Sequence, residues 1–226
     1  MTEFAFTPPA QPSVAIHGRK DRFPVRRIFC VGRNYAEHSR EMGNDPDKEP
    51  PFFFTKPADA IVPDGATIPY PTRTSNVHHE AELVIAIAKG GANITPDVAN
   101  AHIFGFACGN DLTRRDLQAE AKAGRRPWDM AKGFDQSAVI GALHTGDLAM
   151  SARLTAHVDG ALKQDSTLDQ MIWDVPNIIA YLSTLVTLAP GDLIMTGTPA
   201  GVGPIEKGQT CVVEIEGLSQ AGVTLT

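Results

Sequence analysis

Two glutamates stand two residues apart in His79-Glu80-Ala81-Glu82-Leu83-Val84-Ile85-Ala86-Ile87, at the head of an apolar, β-branched run. Such a run reads as a buried strand. Residues two apart on a strand point the same way, so the two carboxylates share a face. Side by side and out of water they repel, and each is costly to bury unpaired. A divalent cation removes both problems. A third carboxylate, Asp111, ends the apolar run Phe106-Ala107-Cys108-Gly109-Asn110-Asp111. Three carboxylate donors with room for water suit Mg²⁺ or Mn²⁺. The competing arrangement is an edge strand with both glutamates in solvent. His78 alternates onto the Glu80 face, and its nitrogen reaching the ion would admit Zn²⁺.

Other residue types carry chemistry of their own. In Asn34-Tyr35-Ala36-Glu37-His38-Ser39-Arg40-Glu41-Met42, a helix would put His38 and Glu41 one turn apart on one face. A carboxylate beside an imidazole fixes its tautomer and raises its basicity, which suits a general base acting on water. A salt-bridged surface helix has the same pattern. Lys132 stands alone among Trp128, Met130 and Phe134, where an ammonium can meet an oxyanion or a carboxylate, or can snorkel to solvent. Gln118, on a polar helix, is a second oxyanion donor. Arg125 and Arg126, in the turn before Lys132, offer a guanidinium to a distant carboxylate. The glycine-rich stretch from Thr196 to Pro204 brings backbone close to a neighbour. It is no nucleotide loop, since no Gly-Lys-Ser/Thr follows and Pro204 blocks a helix there.

The elements that must position these groups are mostly short strands, expected near 27–31, 52–55, 66–69, 84–88, 103–108, 138–143, 153–158, 162–164, 193–195 and 211–215. Asp159-Gly160 reads as a hairpin turn. Helices are expected over 35–42, 114–123 (Thr113 capping it and Gly124 ending it) and 175–186. Helices this few do not alternate with strands as a parallel βαβ sheet requires. The fold class is therefore β-rich α+β, a sandwich or roll. Residues 1–26 are Pro-rich and read as an N-terminal arm, with residues 27–226 a single catalytic domain. The chain has 226 residues and a net charge of −6 with no basic tract, which argues against a nucleic-acid partner. No apolar run reaches membrane-spanning length, and residues 1–10 lack a signal-peptide pattern. Cys30, Cys108 and Cys211 are scattered in apolar contexts, as reduced core thiols of a cytoplasmic protein would be.

The succession of these segments is more specific than any one of them. Gly32-Arg33-Asn34-Tyr35 with His38 and Glu41 is followed by Phe54-Thr55-Lys56-Pro57 and Glu80-Ala81-Glu82-Leu83. Then come Asn110-Asp111 with Arg115-Asp116-Leu117-Gln118, Lys132-Gly133-Phe134-Asp135, and Gly197-Thr198-Pro199-Ala200-Gly201-Val202-Gly203. From Arg27 onward this resembles the fumarylacetoacetate hydrolase family, and in particular its short bacterial members that cleave acylpyruvates. The resemblance implies a mixed β-sandwich roll with a few short helices, usually a homodimer. It implies one Mg²⁺ or Mn²⁺ per subunit on Glu80, Glu82 and Asp111, and a water-activating dyad of His38 and Glu41. Lys132 would be catalytic, and Arg33, Asn34, Arg115, Gln118 and Thr198 would bind substrate. The implied reaction is hydrolysis of a carbon–carbon bond in a 2,4-dioxo acid, with fumarylpyruvate of the gentisate route giving fumarate and pyruvate. The same site could instead decarboxylate or isomerise oxaloacetate or a related 2-oxo acid. A non-catalytic metal-binding protein is the remaining alternative.

Overall fold

The computed structural model describes residues 3–36 and 50–226. Two sheets carry the molecule. The larger has seven strands in the order Phe52–Lys56, Arg27–Gly32, Asp192–Met195, Ala81–Ile87, Ile103–Asp111, Ala138–Ile140 and Ile61–Pro63. It is mixed: Asp192–Met195 lies parallel to Arg27–Gly32 and antiparallel to Ala81–Ile87. The smaller has five strands, Ala161–Thr167, Arg153–Val158, Thr210–Ile215, Ala221–Leu225 and Ala66–Ile68.

Ala81–Ile87 explains how the layers stack. Every residue in it is buried, so it reads as one apolar run instead of alternating. Ala81, Leu83, Ile85 and Ile87 point to the five-stranded sheet and pack with Leu154, Ala156, Cys211, Val213 and Ile215. Val84 and Ala86 point the other way, into a second cluster with Ile28, Cys30, Leu193 and Met195. Val14, Ile16, Phe23 and Val25 cover that second cluster from the N-terminal segment, whose strands Ser13–Ala15 and Arg22–Pro24 pair with each other. The three thiols are buried and unpaired.

A third sheet is small, and it matters to the site. Val77–His79 runs between Thr113–Arg114 and Gly203–Pro204, pairing antiparallel with both. It draws the segments around Glu80, Asp111 and Gly203 to one corner. The helix expected over 114–123 is present as Arg115–Ala123 and ends at Gly124. Thr113 does not cap it, because its hydroxyl donates to the Asp111 carbonyl at 3.0 Å. The helix over Val175–Leu185 is capped by Asp174, whose carboxylate accepts from the Asn177 N–H. The Asp159-Gly160 turn has both residues at positive φ, as its hairpin requires. The strand expected over 138–143 stops at Ile140. The segment expected to be helical over 35–42 lies largely outside the described residues.

Candidate metal and substrate site

Glu82 comes from Ala81–Ile87, Asp111 ends the neighbouring strand Ile103–Asp111, and Glu80 precedes the first of these. Register places Ala81 opposite Asn110, so the two strand ends carry their acids to one point. The Asn110 side chain fixes Glu80 by accepting its backbone N–H at 3.0 Å. The three carboxylates offer oxygens within 4.8 Å of one another, and all three residues are buried. The edge-strand alternative, with Glu80 and Glu82 in solvent, is thereby excluded.

Cations compensate this charge. Lys132 does not snorkel. It is 2 % exposed, and its Nζ donates to Glu80 Oε2 at 2.6 Å and Asp111 Oδ2 at 2.7 Å. Arg115 Nη2 donates to Glu80 Oε1 at 2.6 Å. Lys56, also 2 % exposed, sets its Nζ 2.7 Å from Asp111 Oδ1 and donates to the carbonyls of Leu112 and Lys132. Nothing in its own stretch, Phe54-Thr55-Lys56-Pro57, announces that role, since its partners lie far along the chain. The Lys132 ammonium contacts the face of Phe54 at 4.9 Å, and Lys56 that of Phe134 at 5.5 Å.

Glu82 is the exception. Its Oε2 accepts the Gly197 N–H at 2.8 Å, and no salt bridge reaches it among the described residues. Burial, then Asp111 and Glu80, push its carboxyl well above the usual range. A buried acid set against two others is stabilised by a cation, and the donors are all oxygen. The set therefore fits Mg²⁺ or Mn²⁺. His78 stays outside it, its Nδ1 turned to Arg115 Nε at 3.3 Å. Burial first, and then Arg115, hold that imidazole down at about 4. Gly197 is required where it stands: its φ is +95°, and a Cβ there would sit 2.7 Å from the Asn34 Cβ.

Glu80 and Glu82 open on a cavity of about 30 Å³ lined also by Arg33, Gln118, Lys122, Trp128 and Thr198. Arg33 reaches it from a left-handed backbone, φ 60°, with its guanidinium over the Phe52 ring at 5.3 Å. Gln118 is buried, its Oε1 accepts from Arg115 Nη1 at 2.6 Å, and its amide protons meet no acceptor among the described residues. Lys122 is a cavity residue that sequence reading passed over. Burial, then Arg33 and Arg115, lower its pKa. Arg125 and Arg126 are exposed and do not line the cavity. The Asn34 side chain, expected at the substrate, braces the backbone around the site. Its amide donates to the Trp173 and Thr196 carbonyls at 2.9 and 2.8 Å and accepts the Trp173 N–H at 2.8 Å. His38 and Glu41 lie outside the described residues.

The model for the fumarylacetoacetate (FAA) hydrolase C-terminal family matches residues 27–226. The chain belongs to the fumarylacetoacetate hydrolase family. A crystal structure of fumarylpyruvate hydrolase from Pseudomonas aeruginosa, in complex with Mn²⁺ and pyruvate, is 47% identical and covers 99% of both chains with a TM-score of 0.97. A fumarylpyruvate hydrolase from a Ralstonia species is 43% identical over 81% of this chain and 98% of its own. A mitochondrial oxaloacetate decarboxylase from Dictyostelium discoideum is also 43% identical, over 85% of this chain and 90% of its own. Members of this family thus combine one fold with more than one reaction.

Proposed function

We propose that this protein is a metal-dependent hydrolase of 2,4-dioxo acids that cleaves fumarylpyruvate to fumarate and pyruvate. The observation that carries the reading is the convergence of Glu80, Glu82 and Asp111, the two glutamates also lining a cavity whose other walls include Arg33, Arg115, Gln118, Lys122 and Lys132. Lys56, Lys132 and Arg115 pair with Asp111 and Glu80, so three cations balance the three carboxylates. A divalent ion added to that balance leaves the site positive, which favours an anionic substrate. Held by Glu80, Glu82 and Asp111, Mg²⁺ or Mn²⁺ would supply Lewis acidity to the carboxylate and 2-oxo group of the substrate.

The protein's own groups do the rest. Arg33 and Lys122 orient the dianion. His38, oriented by Glu41, takes a proton from the water that attacks the 4-oxo carbon. That pair rests on the family resemblance and on its spacing in the sequence. Two N–H groups of Lys132 go to carboxylates, so one remains for the oxyanion that forms at the 4-oxo group. Gln118 has its amide protons to offer to the same oxygen. Collapse of the tetrahedral centre breaks the bond between C3 and C4, and pyruvate departs as its enolate.

The same constellation supports decarboxylation or isomerisation of oxaloacetate, a reading favoured by the identity to the Dictyostelium decarboxylase. Fumarylpyruvate, acetylpyruvate and oxaloacetate, each incubated with Mn²⁺ and Mg²⁺, separate the two. Fumarate and pyruvate in equal amounts support the hydrolase, whereas carbon dioxide from oxaloacetate without acylpyruvate cleavage overturns it. A place in the gentisate route, a cytoplasmic setting and a homodimeric state belong to the same reading. The buried, unpaired thiols suit a reducing compartment. Sedimentation checks the oligomer.

A further inference from the structure

Ala161–Thr167 is the edge strand of the smaller sheet, and the side chain at its centre is turned inward. Gln164 is 1 % exposed, and all four of its hydrogen-bonding positions are used. Its Oε1 accepts the Ala81 N–H at 3.0 Å and lies 2.9 Å from His79 Nδ1. Its Nε2 donates to the Pro199 carbonyl at 2.9 Å and to Thr198 Oγ1 at 2.8 Å. The two backbone partners fix which way round the amide lies. The Ala81 N–H can only donate, and the Pro199 carbonyl can only accept. A flipped amide would set donor against donor and acceptor against acceptor in a buried place.

Two consequences follow along the chain of bonds. His79 must carry its proton on Nδ1, because it faces an oxygen. Thr198 must receive a proton from Gln164, so its own hydroxyl proton is directed elsewhere. No acceptor takes that proton among the described residues, and Thr198 lines the cavity beside Glu80, Glu82 and Arg115. We propose that Gln164 is a positioning residue that sets Thr198 as a hydroxyl donor into the cavity, where it holds an acceptor oxygen of the bound 2-oxo acid. The relay begins outside the cavity, at the edge of the other sheet. Its ligand class rests on the function proposed above.

The test uses the whole chain with Mn²⁺, pyruvate as competitive inhibitor and acetylpyruvate as substrate. Gln164→Met keeps the length of the side chain and removes both donors. It should raise the pyruvate Ki and the acetylpyruvate KM by ~10-fold or more, the scale of a lost hydrogen bond to a charged group, while kcat changes little. Thr198→Val should do the same, and Thr198→Ser should recover most of the loss. The double variant Gln164→Met/Thr198→Val should bind pyruvate no worse than Thr198→Val alone, since both act through one hydroxyl. Losses that multiply in the double variant, or an unchanged Ki in Gln164→Met, overturn the proposal. Should Gln164→Met fail to fold, ¹⁵N spectra of the wild-type imidazoles decide. His79 protonated on Nδ1 supports the relay, and protonated on Nε2 overturns it. A wild type that neither binds pyruvate nor cleaves acetylpyruvate removes the acylpyruvate reading, and the His79 tautomer then decides the relay by itself.

Discussion

Lys56 and Lys132 grip the same carboxylate, one ammonium on each oxygen of Asp111, both at 2.7 Å. Lys56 also donates to the backbone carbonyl of Lys132, so the two lysines are tied to each other as well as to the acid. Buried charges persist only when paired, and here Asp111 supplies the counter-charge to both lysines. Removing one side of the grip should be felt as stability. Lys56→Met is expected to lower the unfolding free energy by about 3 kcal/mol, the scale for breaking a buried ion pair. Urea unfolding followed by circular dichroism measures it. A change within experimental error would mean that Lys132 alone suffices for Asp111.

Glu82 is the acid with no salt-bridge partner among the described residues, and its loss should be specific to cation binding. Glu82→Gln is expected to abolish detectable Mn²⁺ binding at micromolar concentration, by calorimetry or electron paramagnetic resonance, and to leave the melting temperature of the metal-free protein equal or higher. The second half follows because burial disfavours the Glu82 charge. Mn²⁺ binding retained by Glu82→Gln would remove this residue from the donor set.

His38→Ala should cut acylpyruvate hydrolysis by ~10²-fold or more, the usual scale of a lost general base. Oxaloacetate decarboxylation, which requires no attacking water, should suffer less. Equal losses in both reactions would assign His38 to substrate binding.

Discrimination for a dicarboxylate should reside in the cavity wall. Lys122→Met is expected to lower kcat/KM for fumarylpyruvate by about tenfold, as for one lost charge-assisted contact, and to leave acetylpyruvate within about twofold. Arg125→Ala and Arg126→Ala should leave both substrates unchanged, since both side chains are exposed and outside the cavity. A fumarylpyruvate-specific loss in either arginine variant would return the anchor to that turn.

Acid should weaken the fold through His144. Its Nε2 accepts the Ser219 N–H at 3.0 Å, and its ring stacks on His17 at 4.1 Å. Burial first, and the His17 charge next, hold its pKa below the ordinary value. Below pH ~6.5 the unfolded chain therefore takes up a proton that the folded chain refuses. Stability present above that pH is lost as the pH falls toward the folded-state value. The urea midpoint should drop between pH 7 and pH 5, and His144→Gln should flatten part of that slope. Identical slopes in both proteins would exclude His144.

Much of the site was legible because its signals are local. Glu80 and Glu82 announce each other at a spacing of two, and Asp111 closes an apolar run. Lys56 was not legible as a partner of Asp111, for a lysine before a proline gives no sign of burial when its partners are residues 111, 112 and 132. Gln164 was hidden in the same way, reaching residues 79, 81, 198 and 199 from an otherwise exposed strand. Asn34, read as a substrate residue from its neighbours, has its side chain bonded to the backbone of Trp173 and Thr196, which its sequence context does not show. The fold divides along the same line. The strand expected near 84–88 is present as Ala81–Ile87, and the hairpin turn at Asp159-Gly160 read directly from its two residues. The parallel pairing of Arg27–Gly32 with Asp192–Met195 did not, because nothing in either segment names a partner so distant.

That pairing also orders events during synthesis. Asp192–Met195 inserts between Arg27–Gly32 and Ala81–Ile87, and it leads into Gly197, whose N–H steadies Glu82. A ribosome that has not yet reached Asp192 holds a nascent chain in which two apolar strands lack the neighbour between them. Both present open edges, the template on which chains aggregate. Pairing across so long a span is slow to form. The acids of the site are translated early, but their surroundings are completed only when the last sixth of the chain emerges. Loss of that C-terminal portion should therefore yield an insoluble, chaperone-bound product and not a weakened enzyme.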